Sequence, residues 1–178
     1  MELNETVIGS KTLYEGKIVH LRVDNVRLPN GQESTREIVS HKGAVCMVPV
    51  QEDGTILMVR QFRLAAGKVL LEIPAGTLEM GELPDDCAAR ELEEETGYHA
   101  TTLRRLFQAY LAPGYTTELI TAYLATGLVP RSAHTDADEN VELVPIPIAE
   151  VERMVLAGEL EDAKSIAALM VALRILGA

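Results

Sequence analysis

The sequence predicts a mixed-sheet α+β fold, and three observations lead there. Short strand-like runs fill the first forty residues and the middle of the chain, a glutamate-rich helix interrupts them, and the tail is helical. Strands and helices mingle without the steady βαβ rhythm of a doubly wound sheet, so α+β with a mixed-sheet sandwich is the expected architecture.

The elements follow in order. Residues 18–23, 26–28 and 37–39 read as short strands, and Pro29-Asn30-Gly31 supplies a tight turn, so a small antiparallel meander is expected. Residues 44–50 form the continuous apolar run of a buried strand. Asp53-Gly54 then turns the chain into residues 55–60, the expected second arm of a hairpin. Residues 68–74 read as a further strand that ends in a loop, Pro74-Ala75-Gly76. Pro84 opens a helix that runs to about Thr96, with Gly97 as its stop. Strands resume at 103–110, 118–125 and 141–146. A short helix is expected over 149–157 and a longer one over 163–176. In the latter, Ile166, Leu169, Met170 and Leu173 recur at helical spacing as core packing before Gly177.

Charge and cysteine content narrow the function classes. Sixteen basic residues against twenty-seven acidic ones give a net charge of −11. Such a surface repels nucleic acid and anionic membranes, so neither is expected as a partner. A phosphate-bearing substrate would meet the same repulsion unless metal cations intervene. The two cysteines, Cys46 and Cys87, lie apart in apolar surroundings and read as small buried hydrophobes. The first residues carry no signal-peptide pattern, and no apolar run approaches the ~20 residues of a membrane span. A reducing, cytoplasmic setting is expected.

The stretch from Gly76 to Gly97 carries the chemistry. At roughly 100° of rotation per helical residue, Glu91, Glu94 and Glu95 fall within about 100° of one another on one face. Glu93 points elsewhere, Glu82 sits just ahead of the first turn, and Ala88, Ala89 and Leu92 form the apolar strip that docks the helix. Carboxylates at this spacing repel one another, and they face the negative end of the helix dipole. A glutamate run by itself usually marks a solvated face. Three carboxylates on one face nevertheless invite a divalent cation, and their hard oxygens suit Mg²⁺ or Mn²⁺.

The full spacing settles the matter. Gly76, Glu82, Arg90, Glu91, Leu92, Glu94, Glu95 and Gly97 stand in the register G-x5-E-x7-R-E-U-x-E-E-x-G-U, where U is bulky and apolar. This pattern resembles the signature box of the Nudix hydrolases. At roughly 7% usage per specified residue, a chance match has odds on the order of one in a million or less. Tyr98 departs from the aliphatic residue usual at the last position but is bulky enough to pack. Flanking segments resemble the ADP-ribose pyrophosphatase subfamily: Arg60-Gln61-Phe62-Arg63, Leu71-Glu72-Ile73-Pro74-Ala75-Gly76, Pro113 with Glu118 soon after it, and the acidic stretch from Asp136 to Glu142. Ala137 replaces an acid often found in that last segment. The similarity runs from about Arg36 to Ser165.

The resemblance implies a Nudix α/β/α sandwich with a mixed sheet over residues 43–178, preceded by a small antiparallel β subdomain over 1–42 that takes part in a homodimer. It implies hydrolysis of a pyrophosphate bond, with ADP-ribose giving AMP and ribose 5-phosphate. Alternatives are another substrate, such as GDP-mannose, NADH or FAD, or a non-catalytic nucleotide sensor. By similarity Glu91 and Glu95 are metal ligands, Glu94 and the carbonyl of Ala75 complete the cluster, and Glu82 supports it. Arg90 orients the glutamates through its planar fork. Glu139 is the first choice for the base that takes a proton from water, and Glu94 the second. Arg63 is a candidate phosphate contact and Arg36 one for the nucleotide end, with Glu72 and Glu118 also placed at the substrate. Gly76 and Gly97 are expected to serve backbone conformation rather than contact.

Overall fold

The computed structural model describes residues 3–131 and 140–177, and these fall into two compact units. One comprises the chain up to Gly43 together with Tyr110–Leu119, and the other comprises Ala44–Ala109 with the chain from Ile120 onward.

In the first unit, β1 (Thr6–Glu15), β2 (His20–Arg27) and β3 (Glu33–Ser40) form an antiparallel sheet in that order. Gly31 takes a left-handed φ of 85° in the β2–β3 turn, and the Asn30 side chain accepts the Gln32 N–H beside it. The segment after Tyr110 returns to this sheet, where the Val39 N–H donates to the Tyr115 carbonyl and the Thr117 N–H to the Val39 carbonyl. Strand β1 was not expected from the sequence. Its side chains are exposed almost throughout and two bulges interrupt it, so it carries no period-2 burial signal.

The second unit is organised around β4 (Ala44–Pro49), all of whose residues are buried. β4 runs parallel to β9 (Leu119–Pro130) and antiparallel to the short β7 (Ala75–Thr77), while β8 (Tyr98–Tyr110) lies on the far side of β9. Alternate residues point to opposite faces. Val45 and Met47 pack with Tyr123 and Ala125 against Cys87, Ala88 and Leu92 of α1 (Pro84–Thr96). Ala44, Cys46 and Val48 face the other way, onto Ala168, Leu169 and Ala172 of α3 (Ala163–Leu176) and Val151 of α2 (Ile148–Leu156). The mixed sheet is thus covered by helices on both faces. Burial pushes both thiols, Cys46 and Cys87, up to about 12, and both cysteines are free and pack as small hydrophobes.

Three sequence expectations are corrected. Strands β4 and β5 (Thr55–Arg63) do not form a hairpin in one sheet. The Asp53-Gly54 turn exists, but β5 joins a separate antiparallel sheet between β10 (Val141–Pro147) and β6 (Lys68–Glu72). Both edges of β4 are taken by β7 and β9, which leaves only a bridge between Val50 and Ile56. The expected loop at Pro74-Ala75-Gly76 contains β7, too short to show a period. On α3 the buried stripe runs through Ser165, Ala168, Leu169, Ala172 and Leu173, whereas Met170 is 48% exposed. Small alanines lie nearest the sheet there, so hydrophobicity alone misplaces the stripe by part of a turn.

The corrected stripe is open to test by thermal or urea unfolding. Leu169→Ala should cost about 2–5 kcal/mol, while Met170→Ala should stay within about 0.5 kcal/mol. Equal losses at the two positions would contradict the packing described.

Candidate active site

Helix α1 is built to hold an unfavourable cluster. Pro84 starts it, Asp85 and Asp86 in the first turn complement the helix dipole, and Gly97 ends it with φ 73°, its N–H donating to the Glu93 carbonyl. No basic residue occupies the last turn. The buried face is Cys87, Ala88 and Leu92. Cys87 takes the place expected of Ala89, which is half-buried. Docking of this face on β4 and β9 supplies the stability that the acidic face withholds.

One arginine gathers the carboxylates. Arg90 donates from Nε and Nη2 to the two oxygens of Glu82 at 2.9 and 3.0 Å, a bidentate pair. Its Nη1 donates to Glu91 at 2.8 Å and to Glu94 at 2.9 Å. These hydrogen bonds from Arg90, helped by the Glu79 N–H, hold the Glu82 carboxyl down to about 2 despite partial burial. The guanidinium is in turn driven above its ordinary range, Glu82 acting first. Three carboxylates that would repel one another are therefore fixed through one shared cation.

The second wall of the cluster is β7. The Glu95 carboxylate, buried at the end of α1, accepts the Ala75 N–H at 3.0 Å. Gly76 lies against Glu91 so closely that a Cβ there would fall 1.8 Å from the Glu91 carboxyl carbon. The expectation that Gly76 serves backbone conformation is corrected: its φ is not positive, and what the glycine supplies is room for the Glu91 side chain, which occupies the place a Cβ would take. Gly97 does have the left-handed conformation.

This arrangement fits a divalent cation. Four carboxylates and one guanidinium sum to a formal −3, and every side-chain donor is a hard oxygen. The Gly76 cradle brings the Glu91 carboxylate and the backbone beside Ala75 together. Among the described residues no group of three or more His, Cys, Asp and Glu side chains is disposed, as it stands, to hold a metal ion. A Mg²⁺-type ion does not require such a group, since it is held by one or two carboxylates and completes its shell with water and phosphate oxygens.

Glu72 is buried at the end of β6 and receives Arg63 Nε at 2.8 Å and Nη2 at 2.9 Å, so Arg63 stands in the same unit with its guanidinium held by a carboxylate. Arg36 and Glu118 belong to the other unit, where Arg36 pairs with Glu5 and Ser34 and the Glu118 N–H donates to Thr116. Glu139 lies outside the described residues. Sequence reasoning missed Asp162, Lys164 and Ser165 at the start of α3. Asp162 caps the helix by accepting the Ser165 N–H, a signal visible as Asp three residues before Ser, but nothing in the sequence shows that Lys164 reaches Glu72.

A profile described as NUDIX domain matches residues 40–169, and one described as Nucleoside diphosphate sugar hydrolase N-terminal domain matches residues 5–39. The chain is similar to the ADP-ribose pyrophosphatase of Bacillus subtilis (strain 168), 41% identical over 165 residues that span 92% of this chain and 89% of that protein. It is similar also to the ADP-ribose pyrophosphatase of Mycobacterium tuberculosis, 44% identical over 168 residues, 92% and 80% of the two chains. A solved structure described as an ADP compounds hydrolase superposes with a TM-score of 0.87 at 23% identity, covering 99% of this chain and 97% of the other, a likeness of fold.

The Gly76 cradle generates a direct prediction. In Gly76→Ala the new methyl group displaces the flexible end of Glu91, so the fold should lose no more than about 1.5 kcal/mol. Binding of Mn²⁺, followed by electron paramagnetic resonance, should weaken at least about tenfold, because a metal site tolerates little displacement of a ligand. Unaltered Mn²⁺ affinity would count against the assignment of Glu91.

Proposed function

The chain belongs to the Nudix family of hydrolases, and from that premise we propose that it splits the pyrophosphate bond of ADP-ribose, releasing AMP and ribose 5-phosphate. The observation that carries the reading is the Arg90-bound cluster of Glu82, Glu91 and Glu94 beside the Gly76 cradle. The likeness to two ADP-ribose pyrophosphatases over nine-tenths of the chain supports ADP-ribose as the substrate.

Hydrolases of this family work with a divalent cation. Mg²⁺ is the expected ion, with Mn²⁺ able to replace it. Glu91 and Glu95 with the Ala75 carbonyl would hold it, Glu94 would complete the donor set, and Glu82 would act through Arg90. When bound, such an ion polarises a phosphoryl oxygen, lowers the pKa of water and offsets charge on the leaving phosphate. The chain's own residues supply the rest. Water adds to one phosphorus, the bridging P–O bond breaks, and a carboxylate within hydrogen-bond reach takes the proton. Glu139 is proposed for that role and Glu94 as the second candidate. Arg63, cationic and 42% exposed along its side chain, is proposed to meet a phosphate.

A homodimer and a cytoplasmic setting belong to the same proposal. The dimer is supported by β1, which leaves Val7, Ile8, Leu13 and Tyr14 exposed on a small sheet. Among the described residues no helix is long and apolar enough to cross a membrane.

The reading is tested by kcat/KM for ADP-ribose, GDP-mannose, NADH and FAD with Mg²⁺. ADP-ribose should lead by more than about tenfold, and a smaller margin would sink the substrate assignment. Glu95→Gln should lower kcat/KM for ADP-ribose by about a thousandfold while the protein stays folded. A variant as active as the parent would remove Glu95 from the metal site.

A further inference from the structure

Each of the five residues that lead into the site is held by a contact from elsewhere in the chain. The Glu72 side chain is held by Arg63 and Lys164, the Ile73 N–H donates to Ser165 Oγ at 2.9 Å, and the Pro74 carbonyl accepts the Met47 N–H at 2.9 Å. The Ala75 N–H is taken by Glu95, and Gly76 abuts Glu91. Two of these five anchors come from the first turn of α3, about ninety residues away in sequence.

The chemistry of the Glu72 anchor is unusual for a structural contact. Its side chain is only 1% exposed, and a lone buried carboxylate is costly. Arg63 alone would neutralise it in a bidentate pair. Yet Lys164, 11% exposed, donates to the same oxygen that receives Arg63 Nη2, and it is itself tied to Asp162 at 2.8 Å. Burial pushes the Glu72 carboxyl up, but hydrogen bonds from Arg63 and Lys164 outweigh that and leave it below its ordinary value. Arg63, Lys164, Glu72 and Asp162 sum to zero formal charge. Without Lys164 the sum is −1, in the field of Glu95, which also acts on Arg63.

We infer that Lys164 is a positioning residue for anion binding: by sharing the buried Glu72 carboxylate it keeps the surroundings of Arg63 from turning net negative and leaves its guanidinium oriented for a substrate phosphate. Arg63 keeps its Nε and Nη2 on Glu72, so the guanidinium plane is fixed in one orientation before an anion arrives. Lys164 acts through Glu72 and touches no substrate. The inference rests on the pyrophosphate reading of the site but not on ADP-ribose as the particular substrate.

The test compares the full chain with Lys164→Met and Lys164→Arg. Steady-state kinetics with ADP-ribose and Mg²⁺ are paired with calorimetric titration of inorganic pyrophosphate. Lys164→Met should raise both KM and the pyrophosphate Kd by about tenfold with kcat within about threefold, and Lys164→Arg should restore both, as expected when a charge partner and not packing is lost. Unchanged KM and Kd, or a fall in kcat alone, would overturn the inference. If the parent turns over no ADP-ribose, the substrate reading is what fails, and the pyrophosphate titration still decides on Lys164. Should Lys164→Met not fold, it is repeated in Glu72→Gln, where the charge to be offset is gone. There it should change the pyrophosphate Kd by less than about twofold, and a tenfold change in that background would also overturn the inference.

Discussion

Everything in the site depends on a single guanidinium holding apart, and yet together, carboxylates that electrostatics would scatter. Arg90 spends three nitrogens on three glutamates from two places in the chain: Glu82 before the helix, Glu91 and Glu94 on it. Without Arg90, Glu91 and Glu94 would repel each other toward the negative, C-terminal end of the α1 dipole. With Arg90 in place the surplus is still negative, which is the condition for taking up a cation instead of an ordinary salt bridge.

That surplus is tolerable because the scaffold around it is rigid. β4 is buried on both faces, between α1 on one side and α2 and α3 on the other, so the strand that carries β7 on its edge cannot shift without opening two packed clusters. β7 in turn presents Ala75 and Gly76 to Glu95 and Glu91. A three-residue strand has little stability of its own. It is held by its neighbours, residue by residue, and this converts a loop-like segment into a fixed wall.

The sequence made some of this legible and hid the rest for physical reasons. The bounds of α1 could be read, because Pro84 and Gly97 punctuate it and a 3.6-residue period runs between them. The acidic face was legible for the same reason. The close approach of Glu91 to Gly76 was not, since it depends on how a helix meets a strand across the fold. β1 escaped notice because exposed strands carry no alternation, and the β4–β5 turn misled because a turn signal does not say which sheet the next strand enters. The contacts of Arg63 and Lys164 with Glu72 were likewise invisible, as they join positions up to 92 residues apart. The Nudix motif therefore announced the chemistry, while the network that aims it appears only in three dimensions.

The central claim is that Glu91, fixed by Arg90, and Glu95, fixed by the Ala75 N–H, hold a divalent ion beside Ala75 and Gly76. Anomalous diffraction from crystals grown with Mn²⁺ tests it most directly. The account predicts manganese density bounded by Glu91, Glu95 and the Ala75 carbonyl, with Arg90 still paired to Glu82. Manganese found only at other surface acids, with Glu91 and Glu95 unmoved and no density between them, would contradict it.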